Sequence, residues 1–199
     1  MVQPKAPSNP GRRKFLINAT SVVGAGAVAG AVVPFIGSWN PSAKAEAAGA
    51  PARADLSKLL PGEMMIVEWR GVPVYVVKHT QESMSVLNKN LSRLSDPDSL
   101  EDQQPDYARN ELRSRKKGIS VLTAVCTHLS CAPKFYPELG TTDFDSDWQG
   151  GFFCPCHGSK FDLVGRVYAG VPAPTNLAIP PHYFQNEDIL IIGEDGGAV

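Results

Sequence analysis

The 199-residue chain predicts a mainly β protein, an antiparallel β domain carried behind one N-terminal transmembrane helix. Three observations lead there. An uncharged stretch, Phe15 to Ala43, lies near the start of the chain. From Asp55 onward, short runs rich in Val, Ile, Tyr and Phe alternate with turn residues, the pattern of short paired strands. No Gly-rich phosphate loop and no internal repeat interrupts that pattern.

Residues 1–14 form a polar, Pro-containing tail that ends in Arg12-Arg13-Lys14. The following segment, 15–37, is rich in Val, Ala, Gly and Ile. As a helix, Phe15 to Ile36 would extend about 33 Å, enough to cross a bilayer core. The basic flank keeps the N-terminus in the cytoplasm and places the rest outside. A cleaved signal peptide is the alternative, with Ala43-Lys44-Ala45 loosely resembling a cleavage site, but its apolar region is usually shorter. Arg12-Arg13 before Phe15-Leu16 resembles a twin-arginine export signal, a route that carries folded proteins. A domain that acquires a metal before export would need such a route, and its destination permits disulfides. A net charge of −1 and 43% hydrophobic residues argue against general disorder and give no basic field for nucleic acid.

Residues 38–54 lack large apolar side chains after Trp39 and read as a flexible tether. The domain proper is expected over 55–199. Met64–Trp69 and Pro73–Lys78 flank Arg70-Gly71-Val72 as a hairpin. Thr80–Leu91 has weak helical spacing. Leu94–Arg109 is acidic and Pro-containing, hence a surface excursion, and the basic run Arg113–Lys117 reads as a solvated face. Ile119–Val125 and Gly150–Phe153 are strands. Tyr183–Gln185 and Ile189–Ile192 close the domain as a hairpin around Asn186-Glu187-Asp188.

All four cysteines fall in two clusters, Cys126-Thr-His128-Leu-Ser-Cys131 and Cys154-Pro-Cys156-His157-Gly-Ser159. Each follows directly on a predicted strand. Thiolates with imidazoles suit a soft or borderline metal. By spacing alone a zinc site, an iron–sulfur centre and two disulfides all remain open.

The two clusters read together resemble the signature of Rieske iron–sulfur proteins, and the extra cysteine in each resembles the Rieske subunits of bacterial quinol–cytochrome c reductases, the cytochrome bc complexes. The resemblance extends to the twin arginines, the single anchor, the tether and the β-rich head. It implies a Rieske head with a small cluster-binding part at about 120–178, and one [2Fe–2S] cluster per subunit. Cys126 and Cys154 would ligate one iron, His128 and His157 the other, and Cys131 and Cys156 would form a disulfide. It implies electron transfer from quinol, with proton uptake at a ligand histidine (His157, with His128 as its partner), to a c-type cytochrome. The partners implied are a cytochrome b subunit, a c-type cytochrome subunit, quinol and membrane lipid, in a dimeric complex. The implied location is the bacterial inner membrane, single-pass, with a periplasmic head. The Rieske subunit of an arsenite-oxidase-type enzyme and a zinc-stapled periplasmic binding domain are the alternatives.

Two ferric ions, two sulfides and two thiolates sum to zero charge with neutral imidazoles, so an electron is added more easily than to an all-cysteine cluster. The potential is raised to roughly −150 to +300 mV. The added charge then makes the histidines more basic, which couples proton to electron uptake. The resemblance gives Ser159 a hydrogen bond toward a bridging sulfide and sets Leu129 over the cluster, facing the quinone pocket. Where high-potential relatives have a tyrosine, this chain has Phe161, which predicts a milder oxidant. Ser130 stands where glycine is usual, so a positive backbone angle there would be strained. Gly170-Val171-Pro172-Ala173-Pro174 resembles the family's proline-rich loop over the cluster. His79 and His182 read as ordinary surface or packed residues. Asp143, Asp145 and Asp147 lack the glycine and glutamate of a calcium loop and read as solvated.

Overall fold

The computed structural model describes residues 9–43, 45 and 49–196. Residues 1–8 of the expected tail, and 44 and 46–48 of the expected tether, lie outside the described residues. The chain divides into two units, residues 1–47 and 48–199.

The first unit is built on α1, Pro10–Gly37. Asn9 caps it, its side chain accepting from the Arg12 N–H at 3.1 Å, and proline stands in the first turn, where its missing N–H costs nothing. The helix therefore begins before the uncharged stretch and carries Arg12-Arg13-Lys14 on its first turns. At 28 residues it extends about 42 Å, and its most apolar stretch has a mean hydropathy of 1.8. Among the described residues it is the one helix long and apolar enough to cross a membrane.

The second unit is β-rich. Its elements are β1 (Ala52–Asp55), β2 (Met64–Trp69), β3 (Val72–Lys78), α2 (Gln81–Val86), short 3-10 turns at Leu87–Arg93 and Asp106–Ala108, β4 (Ile119–Thr123), β5 (Lys134–Gly140), β6 (Trp148–Phe153), β7 (Lys160–Phe161), β8 (His182–Phe184) and β9 (Ile189–Ile192). Among the described residues the strands form three antiparallel sheets, ordered β1-β9-β8, β2-β3-β4 and β5-β6-β7. The β2–β3 turn is Arg70-Gly71, both left-handed at φ 54 and 72, which matches the twist of a two-residue hairpin. One apolar core lies around Val74, Val76, Val121, Leu190 and Ile192, and a second joins Tyr75, Leu122, Phe152 and Phe161 to Cys126 and Cys154.

Four expectations need correction. The tether expected to end at residue 54 stops earlier, because β1 pairs with β9 from Ala52 and buries Ala54 against Leu190. Small side chains there gave no apolar signal. β5 was not expected at all: it contains Pro137, has a register shift between Tyr136 and Leu139, and forms a sheet edge, where proline is tolerated. Asp145 is not solvated. It is buried and joins Arg93 (2.6 Å) to Lys160 (2.8 Å), while Asp143 and Asp147 are exposed as expected.

The fourth correction is the largest. The segment 94–109 is a buttress rather than a surface excursion, with Leu94, Ser99, Gln104 and Ala108 buried. Arg113, read as part of a solvated face, is fully buried and donates to Val164 O, Leu177 O and Gln104 Oε1. Burial pulls its pKa down to about 10, against the pull of Asp162 and Asp96. In return, buried Arg166 donates to Leu87 O and Pro97 O, and buried Asn176 donates to Asp96 and Ser99. Polar side chains reaching main-chain oxygens do this work, so no apolar periodicity marked it.

His79 and His182 are packed. His79 Nε2 lies 2.8 Å from Ser120 Oγ, and His182 Nδ1 lies 2.9 Å from Pro180 O. Burial lowers the pKa of each to about 4. The unfolded chain, with histidines near 6.5, binds more protons than the folded one across that interval. Stability present above pH 6.5 is therefore lost as pH falls toward 4, at up to about 1.4 kcal/mol per pH unit per histidine. Denaturant titrations at pH 7 and pH 5 should show a shallower loss in His79→Gln than in the parent; an equal loss would remove His79 from the account.

Candidate metal centre

β4 runs into the first Cys/His loop and β6 into the second. The two loops share one backbone pattern. The Cys126 N–H donates to Cys131 O (2.8 Å), and the Ser130 N–H to Cys126 O (3.0 Å). Likewise the Cys154 N–H donates to Ser159 O (2.8 Å), and the Gly158 N–H to Cys154 O (2.9 Å). Such a closed loop needs a left-handed residue four places after its first cysteine. Gly158 meets that need at φ 77 and Ser130 at φ 65. The strain anticipated at Ser130 is thus present, a cost of about 1–3 kcal/mol carried at the site.

The side chains divide cleanly. Cys131 and Cys156 form a disulfide that staples the loops together. Cys126 and Cys154 are free and buried in the apolar core. The His128 and His157 rings meet edge to face at 4.7 Å between centroids. His157 is exposed, as is Leu129 at 66%, while His128 is half-buried. Burial pushes the Cys126 thiol up, and the His128 backbone N–H and the Ser159 hydroxyl draw it down. The neighbouring Cys154 thiol adds to the rise, which outweighs the two donors, and a bound cation would reverse it and hold the thiolate. Cys131, Cys154 and Cys156 also lie within 4.8 Å of one another, but two of those sulfurs are spent in the disulfide.

A third wall is the proline-rich segment. The Ala173 N–H donates to the buried Ser159 Oγ at 3.0 Å, which leaves the hydroxyl proton free to point toward sulfur. Thr127 Oγ1 donates to Thr175 O at 2.7 Å. Gly151 lets β7 lie close on β6: at φ 141, a β-carbon there would strike Phe161 O and the Asp162 backbone. Phe161 is fully buried in the core that contains both free cysteines. Sequence reasoning missed Thr127 and Tyr75, whose hydroxyl donates to Pro133 O at 2.7 Å. Thr127 stands inside the first motif and could have been weighed; Tyr75 lies 58 residues from its acceptor and carries no local signal.

Residues 3–42 match the "Ubiquitinol-cytochrome C reductase Fe-S subunit TAT signal" family, and residues 101–181 match the "Rieske [2Fe-2S] domain" family. Over 190 residues the chain is 53% identical to the ubiquinol-cytochrome c reductase iron-sulfur subunit of Allochromatium vinosum, covering 96% of this chain and 92% of that one. The chain belongs to the ubiquinol–cytochrome c reductase iron–sulfur subunit family. The ubiquinol-cytochrome c reductase iron-sulfur subunits of Blastochloris viridis (42% identity, 92% of each chain) and Rhodospirillum rubrum (42%, covering 94% and 96%) are similar over the same extent. A solved chain titled "Hyperthermophilic respiratory Complex III" aligns with a TM-score of 0.49 at 23% identity, covering 88% of this chain and 99% of that one, too distant to add to this.

As a Rieske subunit the chain binds a [2Fe–2S] cluster, and its donors fit one. The two buried thiols remain free beside the two imidazoles. His128 Nδ1 is buried and has no hydrogen-bond partner among the described residues, a cost that a metal bond would relieve. The two-disulfide alternative fails, since Cys126 and Cys154 are unpaired, and family membership sets aside the zinc staple.

Proposed function

We propose that Cys126 and Cys154 hold one iron of the cluster and His128 and His157 the other, and that quinol is oxidised at His157. When bound, a [2Fe–2S] cluster with two neutral imidazole ligands supplies a one-electron acceptor of raised potential. The single observation that carries the reading is the asymmetry of the histidines: one has a buried nitrogen with no partner among the described residues, and the other is exposed beside exposed Leu129. His157 receives the hydrogen bond of the quinol hydroxyl and takes its proton. Leu129 covers the loops and fills the mouth of the quinone pocket. Ser159, fixed by the Ala173 N–H, donates toward sulfur and favours the reduced state.

The family supports a wider arrangement. The 10–37 helix anchors the chain in a bacterial inner membrane with the N-terminus cytoplasmic and the head periplasmic. The partners are a cytochrome b subunit, which shares the quinol pocket, and a c-type cytochrome, which accepts the electron, in a dimeric complex. The segment that begins at 38 lets the head move between them. Electron paramagnetic resonance of reduced membranes, with and without a quinol-site inhibitor, tests the reading. The cluster spectrum should change with the inhibitor, and an inhibitor-insensitive spectrum would reduce the protein to a relay without a quinol pocket.

Phe161 carries a separate prediction. Phe161 shares its core with the two ligand thiols, and a ring hydroxyl that donated to sulfur would stabilise added negative charge. Phe161→Tyr should raise the midpoint potential in redox titration, by about 60 mV for each tenfold gain in the reduction equilibrium. An unchanged or lower midpoint would mean that another donor already serves the sulfur.

A further inference from the structure

The disulfide joins half-buried Cys131, the last residue of the first loop, to exposed Cys156 within the second. The loops have a second link. Tyr75 sits in the middle of β3, paired with Ile66 on one side and Leu122 on the other, so its backbone is fixed by the β2-β3-β4 sheet. Its ring lies flat against Phe152, 5.5 Å between centroids with 2° between planes. Phe152 packs on Phe135 at 5.2 Å. The Tyr75 hydroxyl donates to Pro133 O at 2.7 Å in a buried position.

These contacts close a ring. Pro133 stands two residues after Cys131 of the first loop, and Phe152 stands two residues before Cys154 of the second. Phe135 continues from Pro133 and pairs with Phe152 across β5 and β6. One rigid side chain therefore touches the exit of the first loop with its hydroxyl and the entrance of the second with its face. Two-point contact by a tyrosine fixes a distance, because the ring cannot shorten and the hydroxyl bond is directional.

We propose that Tyr75 is a positioning residue for the metal centre: it sets the separation of the two cluster-binding loops from β3, as the Cys131–Cys156 disulfide does by a direct bond between the loops. The inference rests on the reading that these loops hold the cluster. It predicts that the hydroxyl matters to the cluster beyond its worth to the fold, and that Tyr75 and the disulfide act on one quantity and so are coupled.

The test uses the full chain in its membrane complex. Tyr75→Phe keeps the stack on Phe152 and removes only the bond to Pro133. Tyr107→Phe is the control, since that hydroxyl accepts from the His182 N–H and reaches neither loop. The readouts are the resonance spectrum and midpoint potential of the reduced cluster, and the rate of cluster loss to a chelator. Tyr75→Phe should speed cluster loss about fivefold, the factor for one buried hydrogen bond, and alter spectrum and midpoint. Tyr107→Phe should leave all three at parent values. Combined with Cys131→Ser and Cys156→Ser, Tyr75→Phe should accelerate loss by more than the product of the separate factors. If the disulfide variant holds no cluster by itself, the comparison of the two tyrosines decides. Equal behaviour of Tyr75→Phe and Tyr107→Phe, or a plain product in the combined variant, overturns the inference and leaves the cluster reading intact. A parent complex without a cluster signal overturns both.

Discussion

Cys126→Ser and Cys154→Ser should each abolish the [2Fe–2S] resonance and bring bound iron to background, whereas Cys131→Ser and Cys156→Ser should retain a measurable share of both. The difference follows from what each sulfur can offer. Cys126 and Cys154 are free, buried and set among apolar neighbours, so once metal is present they have no competing partner. A serine hydroxyl remains protonated where a metal-bound thiol ionises, and a hard neutral oxygen is a poor ligand for a cluster that prefers thiolate. Cys131 and Cys156 are already bonded to each other. Opening that bond releases a loop spanning 25 residues, a loss of about 3.5 kcal/mol by loop closure. That weakens the site without removing a donor. The opposite outcome, in which Cys131→Ser erases the signal and Cys126→Ser preserves it, would exchange the roles of the two members of each pair. Iron content and resonance of purified complex decide it.

The second large effect lies under the site. Arg166 and Asp162 form an ion pair at 2.7 Å in which both side chains are almost wholly buried. Asp162 Oδ1 also accepts from the Val164 and Arg166 N–H groups, and the remaining guanidinium nitrogens reach Leu87 O and Pro97 O. Arg166→Met would strand a buried carboxylate and release the carbonyls of Leu87 and Pro97. Loss of one partner from such a pair costs about 3–5 kcal/mol. Denaturant unfolding followed by tryptophan emission should show a fall of that size. Arg166→Met with Asp162→Asn should recover part of it, because asparagine still accepts from the two amides and carries no charge. If the double variant is no better than the single, the lost carbonyl contacts rather than the stranded charge account for the effect.

The contrast between these two predictions marks what could be read from residue order. The metal loops were legible because their chemistry is local: four cysteines and two histidines at short spacing, each cluster directly after an apolar strand. The β2–β3 and β8–β9 hairpins were legible for the same reason, since turn residues and alternation lie within a dozen positions. The buttress was not. Arg113, Arg166 and Asn176 look like ordinary surface residues in a string of letters, and only the fold brings them against the carbonyls that satisfy them. Tyr75 belongs with these, as a β3 residue whose hydroxyl acts on a loop 58 positions away. Asp145 looks solvated in the sequence because its partners, Arg93 and Lys160, come from two distant segments. Long-range polar pairing leaves no periodic trace, and it is what supports this site.

The twin loops are alike in backbone and unlike in what they carry. Their main chains follow the same path, yet the histidine stands two places after the cysteine in one and three places after it in the other. One added position turns the second imidazole outward while its counterpart stays sheltered. A repeated scaffold thus yields unequal occupants, and under the proposed function a single-residue offset separates an imidazole that only holds iron from one that also meets quinol.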